Sequence, residues 1–126
     1  MEQCIFCKEF ASSNYIIHNS LAFTRKDNFP VSLGHCEIVP IRHVDSIFKL
    51  TRKELLACSQ LLTEQQSAIK RVLPDVTGFN IGINDGVSAG QTIQHCHIHL
   101  IPRREGDVPN PKGGIRGVIP GKQVYP

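Results

Sequence analysis

Apolar residues recur along this chain at two periods, and the change of period divides it into elements. Tyr15 to His18 and Leu21 to Lys26 alternate as two strands joined by a short turn at Asn19-Ser20. Asp27 to Gly34 is a loop carrying Pro30 and Gly34, and His35 to Pro40 is a third apolar strand. Thr51-Arg52-Lys53-Glu54 has the form of a capping box. Leu55, Cys58, Leu62, Ile69 and Val72 then recur at helical spacing until Pro74 stops the run. Phe79, Ile81 and Ile83 alternate again in a fourth strand over 77–84, followed by a loop over 85–93. Beyond Arg103 the periodicity ends, and residues 104–126 form an irregular C-terminal extension rich in Gly, Pro and Lys. Strands that outnumber helices without strict alternation predict an α+β domain over 1–126, an antiparallel sheet with one long helix on a face.

The sharpest alternation is His95-Cys96-His97-Ile98-His99-Leu100. On a strand it puts His95, His97 and His99 in one row, roughly 6–7 Å apart, with Cys96, Ile98 and Leu100 facing the core. The middle ring is then flanked by imidazoles, the layout of a site that grips or attacks an anion or a metal. Just upstream, Asn84 to Thr92 combines Gly86 and Gly90 with amides and hydroxyls, a segment able to turn backbone N–H groups toward an anion. It lacks the Gly-Lys-Ser/Thr ending of a P-loop.

Composition narrows the picture further. At 126 residues the chain is long enough for one domain with a real core. Lys and Arg exceed Asp and Glu by only 14 to 11, and no aromatics interleave the basic residues, so nucleic acid is not an expected partner. No apolar run approaches a membrane span. Five cysteines, an odd number, and an opening without a charged and apolar leader lead us to expect thiols in a reducing cytoplasm. Cys4-x-x-Cys7 supplies two of the four ligands of a tetrahedral metal, or else two small buried side chains. Cys36, Cys58 and Cys96 read as packing, and His18 has no visible partner.

Residues 90–101, Gly-Gln-Thr-Ile-Gln-His-Cys-His-Ile-His-Leu-Ile, resemble the signature of the histidine-triad (HIT) nucleotide-binding family. Cys4-Ile5-Phe6-Cys7, Leu33-Gly34-His35, Ile38-Val39-Pro40 and Gly78-Phe79-Asn80 extend the likeness over most of 4–103. The resemblance implies about five strands per subunit and a homodimer with a ten-stranded sheet. It also implies hydrolysis or transfer of nucleotidyl groups at the α-phosphate through a covalent histidine intermediate. His97 matches the nucleophile, His99 and Thr92 groups on the phosphate and leaving-group side, and Asn84, Gly90 and Gln91 phosphate contacts. His35 matches an additional active-site histidine and Asp27 the acidic residue that holds the ribose. Zinc-bearing members imply a structural zinc on Cys4, Cys7, His43 and His95. The stretch after Arg103 resembles dinucleoside polyphosphate hydrolase-like members, in which Lys112, Arg116 and Lys122 would reach distal phosphates. Substrates on this reading are purine nucleotides: a dinucleoside polyphosphate such as diadenosine tetraphosphate, or a nucleoside phosphoramidate. The alternative is a purine nucleotide-binding regulatory module with vestigial catalysis.

Overall fold

A computed structural model describes residues 3–126. Four strands, β1 (Ala22–Lys26), β2 (Cys36–Pro40), β3 (Gly78–Gly82) and β4 (Ile98–Arg103), form one antiparallel sheet in the order β1-β2-β4-β3. A short helix, α1 (Ile5–Ala11), precedes them, and the long helix α2 (Arg52–Val72) links β2 to β3. No helix among the described residues is long and apolar enough to cross a membrane.

The α+β architecture is as expected, with two differences of detail. Tyr15 to His18 is not a regular fifth strand. Ile16 N–H donates to Thr24 O at 2.8 Å, while Thr24 N–H donates to Ile17 O at 2.8 Å, so two residues face one. The Thr24 hydroxyl accepts from the displaced Ile17 N–H at 3.2 Å. Such a bulge breaks the ladder and leaves His18 in a single bridge to Phe23. The second difference is α1, a helix that the apolar pattern does not announce. Its seven residues are too few for a periodic signal, and packing of Phe6 and Phe10 supplies what propensity does not.

α2 begins at the predicted box: the Thr51 hydroxyl accepts from Glu54 N–H, and the Glu54 carboxylate accepts from Thr51 N–H. Its buried stripe runs through Glu54, Ala57, Cys58, Leu61, Gln65 and Ile69. Leu55 and Val72, expected inside, face solvent instead. The stripe shifts because its polar members have partners: Glu54 receives both forks of Arg42 at 2.8 and 2.9 Å, and Gln65 accepts from the Thr24 hydroxyl at 3.0 Å.

Both faces of the sheet are covered, and period two sorts the side chains between them. Ala22, Cys36, Ile38, Ile98 and Leu100 pack under α2 with Cys58, Leu61 and Ile69. Phe23 and Val39 pack with Phe6 of α1 on the other side. The register sets Arg25 opposite Glu37, and Glu37 opposite His99. On this second face the strands therefore present a polar row where hydrophobic side chains would ordinarily continue the core.

The Arg42 bonds and the Thr51 amide hold the Glu54 carboxyl down to about 2. The folded state binds this proton more weakly than the unfolded chain, so ionised Glu54 stabilises the fold above pH 4.5 and loses that effect as pH falls toward 2. A Glu54→Gln variant should unfold at lower urea than the parent protein at neutral pH, and the gap should close on acidification. A gap of constant size between neutral and strongly acidic pH would contradict this.

Candidate active site and metal centre

Each histidine of the 95–99 segment is fixed by a different partner. The His97 Nδ1 lies 2.8 Å from the backbone carbonyl of His95. A carbonyl only accepts, so Nδ1 carries the proton and Nε2 keeps its lone pair. His95 is turned the other way: its Nε2 donates to Pro40 O at 2.7 Å, which leaves the lone pair on Nδ1. His99 Nδ1 lies 2.9 Å from His35 Nε2. Phe6 packs edge-on against both His95 and His97, with ring centroids 5.6 and 5.1 Å away. The His97 and His99 rings are 5.1 Å apart.

The three rings do not form the uniform row read from the sequence. β4 begins only at Ile98, because Cys96 N–H bonds to Val44 O at 2.7 Å instead of entering the ladder. Cys96, Ile98 and Leu100 do face inward, Cys96 into a small cluster with Val44 and Leu50. His97 and His99 open on a cavity of about 270 Å³ that Asp27, Asn84, Gly90, Gln91 and Thr92 also line. A larger, mostly apolar groove of about 510 Å³ lies between α2 and the loop before β2, touching only Asp27 and His35 of these groups. The paired histidines, the glycine loop and Asp27 meet in the smaller, more polar cavity.

The glycine loop is held in shape by Gln91. Its carbonyl oxygen accepts from Gly86 N–H at 2.8 Å, and its amide donates to Asp45 O at 2.8 Å and Ile93 O at 3.1 Å. The Gln91 side chain is thus committed to the loop it stands in. Gly90 closes the turn at φ 93°, a left-handed conformation that a side chain would strain. Thr92 is exposed and Asn84 half-buried. Asp27 accepts from Phe29 N–H at 2.8 Å through one oxygen. Its other oxygen lies 3.5 Å from His35 Nε2 and 3.7 Å from His99 Nδ1. Lys112 and Arg116 stack on Tyr125 in the extension, 4.7 and 5.0 Å from its ring, and neither lines the cavity.

Two charged residues of the cavity escaped the sequence reading. Arg25 donates to Glu9 of α1 through Nε and Nη2, and to Glu37 through Nη1. The other Glu37 oxygen faces His97 Nε2 at 3.5 Å. Burial, resisted by Arg25, pushes the Glu37 carboxyl up to about 7. Burial likewise lowers the pKa of His97 and His35, and takes His99, with help from the His97 and His35 rings, down to about 4. All three shifts favour the neutral imidazole. The only hint in the sequence was a charged residue within each apolar strand, which means little until the register sets the two opposite.

Cys4, Cys7, His43 and His95 bring one donor atom each within 4.8 Å of the others. The sulfur–nitrogen contacts are 3.4, 3.5 and 3.7 Å, and the two Nδ1 atoms are 3.2 Å apart. A tetrahedral ion with metal–sulfur bonds of about 2.3 Å and metal–nitrogen bonds of about 2.0 Å requires edges of roughly 3.3–3.8 Å. The fit is close, and the Pro40 carbonyl supplies the outer hydrogen bond typical of a ligating histidine. Burial and the Cys4 sulfur push the Cys7 thiol up, and a dication is the group that reverses this.

Fold and site together define a class: an α+β domain whose histidine-bearing strand abuts a glycine-rich loop, with a thiol–imidazole cluster behind it. The chain belongs to the HIT domain family, whose pattern matches residues 8–106. It is 34% identical over 106 residues to an asymmetrical bis(5'-nucleosyl)-tetraphosphatase of Schizosaccharomyces pombe, which covers 84% of this chain and 58% of that protein. It is 33% identical over 115 residues to an AP-4-A phosphorylase of Mycobacterium tuberculosis, covering 88% and 54% respectively. The chain spans little more than half the length of these two relatives. A zinc-bound histidine triad family protein from Mycobacterium smegmatis superposes with a TM-score of 0.75 at 27% identity, over 84% of this chain and 78% of that one.

The cluster geometry predicts about one tetrahedral thiophilic metal ion, zinc above all, per chain purified without chelator. A Cys4→Ser/Cys7→Ser double variant should lose it and melt at a lower temperature, because metal affinity here is also folding free energy. Metal analysis that finds none in the parent protein would contradict the assignment.

Proposed function

We propose that this chain is a nucleotidyl hydrolase or transferase acting at the α-phosphate of purine nucleotide substrates, a dinucleoside polyphosphate or a nucleoside phosphoramidate. The observation that carries the reading is the His97 Nδ1–His95 carbonyl bond at 2.8 Å. It leaves an unprotonated Nε2 beside a cavity bounded by a glycine loop, and that is what an attacking imidazole requires. In the first step Nε2 bonds to phosphorus, and the bond to the leaving group breaks with its electron pair going to the departing atom. His99 Nε2–H and the Thr92 hydroxyl face the leaving side. Asn84 and the backbone near Gly90 hold the phosphate, and Asp27 holds the ribose. In the second step water, or another acceptor, displaces His97 from phosphorus. Family membership and the two curated relatives support this chemistry at the level of nucleotide phosphoanhydride cleavage.

Zinc is the ion we assign to Cys4, Cys7, His43 and His95. It would tie α1 and the loop after β2 to His95, two residues from the nucleophile. Its role is structural, and no reaction step passes through it. We further infer a homodimer whose sheet continues from one chain to the next, with β3 as the edge strand farthest from β1.

Replacing His97 with Asn keeps a donor for the His95 carbonyl but removes the nucleophile. Turnover of diadenosine tetraphosphate should fall by on the order of a thousandfold or more, with AMP binding largely retained. Turnover close to that of the parent protein would rule out His97 as nucleophile. A parent protein that binds AMP but turns over neither class of substrate would favour the regulatory binding module.

A further inference from the structure

His35 is buried beside His99 with both ring nitrogens engaged. The backbone N–H of Val31 donates to its Nδ1 at 3.1 Å. A backbone N–H can only donate, so Nδ1 accepts and the proton of the neutral ring is on Nε2. That nitrogen is 2.9 Å from His99 Nδ1, so His35 donates and His99 accepts. The His99 proton is thereby placed on its own Nε2. Among the described residues this atom meets no protein partner, and it is not sealed from solvent. The sequence Val31, His35, His99 is a one-way chain, because its first donor is an amide that cannot reverse.

The chain also restricts the charge of His99. An imidazolium carries a proton on both nitrogens. Protonating His99 would set Nδ1–H against His35 Nε2–H across 2.9 Å. Flipping the His35 tautomer to accept would set its Nδ1–H against the Val31 amide across 3.1 Å. Either way one hydrogen bond is exchanged for a clash of donors. The acidic groups facing His99 Nδ1 are Asp27 at 3.7 Å and Glu37 at 3.8 Å, both beyond hydrogen-bond distance. The remaining titratable neighbour is His97, its ring centroid 5.1 Å away. Burial and the neighbouring imidazoles push His99 in the same direction, down to about 4.

We propose that His35 is a positioning residue that locks His99 as a neutral Nε2–H donor, so that the site favours leaving groups departing as stable anions over amines that must take up a proton. The proposal rests on the nucleotidyl-transfer reading above. As the His97 Nε2–phosphorus bond forms, the phosphorus–oxygen bond of an anhydride breaks and its electron pair stays on the departing oxygen. Neutral His99 gives that oxygen a hydrogen bond and retains its own proton. A polyphosphate needs nothing more, since its anion is stable near neutral pH. An alkylamine would depart as a strongly basic anion unless a proton reached it, and a neutral imidazole N–H is too weak an acid to supply one.

Two substitutions separate the links of the chain. Asn at position 35 keeps an oxygen near the Val31 amide but has no donor reaching His99, whereas Gln keeps an N–H near the old Nε2. The first readout is the ratio of kcat/KM for diadenosine tetraphosphate to that for an adenosine phosphoramidate of an alkylamine. The parent protein and His35→Gln should favour the anhydride, and in His35→Asn the ratio should fall by about tenfold or more. The second readout needs no substrate: nitrogen-15 correlation spectra report the tautomer and charge of His99 at about pH 6, where an unperturbed imidazole is substantially charged. A neutral Nε2–H form is expected in the parent and Gln proteins, and a mixed or charged form in the Asn protein. A parent His99 that is charged or carries its proton on Nδ1 would overturn the proposal, as would an Asn variant with the parental ratio. Failure to turn over either substrate would sink the nucleotidyl-transfer reading, while the spectra would still decide whether His35 fixes His99.

Discussion

The site depends on backbone groups that decide which nitrogen of each imidazole carries the proton. The Pro40 carbonyl takes His95 Nε2–H, the His95 carbonyl takes His97 Nδ1–H, and the Val31 amide fixes His35 from the opposite polarity. Side chains of one chemical type, two residues apart, thereby acquire different tasks. One turns Nδ1 toward the two thiols and His43, one keeps an unprotonated Nε2 beside the cavity, and one carries its proton on Nε2. Since backbone donors and acceptors do not titrate, they fix the tautomer of each ring for as long as it is neutral. Burial supports them by keeping the rings neutral.

α1 is the lid over this arrangement, and the structure fastens it at both ends. Cys4 and Cys7 lie against His43 and His95. Further along the helix, Glu9 grips Arg25, which in turn holds Glu37. Between them Phe6 is fully buried against His95 and His97, with the Arg25 guanidinium 4.8 Å from its ring centroid. A helix of seven residues has little stability of its own. Its position comes from these contacts, and the cavity wall they build is as fixed as the strands beneath it. Buried ion pairs rarely add much net stability, but breaking one leaves a costly unpaired charge. The Glu9–Arg25–Glu37 row therefore acts chiefly to exclude other placements of the helix.

Much of this was legible in the sequence, for identifiable reasons. Alternation at 95–100 announced a strand with a polar and an apolar side, and the capping box at Thr51 announced α2 to within a residue. The Cys4–Cys7 half of the thiol–imidazole cluster was legible from spacing, but His43 and His95 chiefly through resemblance, since 35 and 51 intervening residues follow no metal-finger rule. The expected row of His95, His97 and His99 along one strand was met only in part: β4 begins at Ile98, because the Cys96 amide bonds to Val44 O, a long-range contact that periodicity does not contain. The bulge opposite Thr24 depends on a side-chain hydroxyl replacing one ladder bond, which no pattern of hydrophobicity encodes. Arg25 and Glu37 were missed because their meaning lies in cross-strand register, which emerges only on folding.

The central claim, that His97 attacks through Nε2 because its Nδ1 is held by a carbonyl, has a direct chemical test. The protein would be mixed with excess diadenosine tetraphosphate, quenched within milliseconds in alkali, where phosphorus–nitrogen bonds survive, and digested. The bound nucleotidyl group would then be located by mass spectrometry and phosphorus-31 NMR. The account predicts an adenylyl group on His97, attached at Nε2. An adenylyl group on another residue, or on Nδ1 of His97, would contradict it.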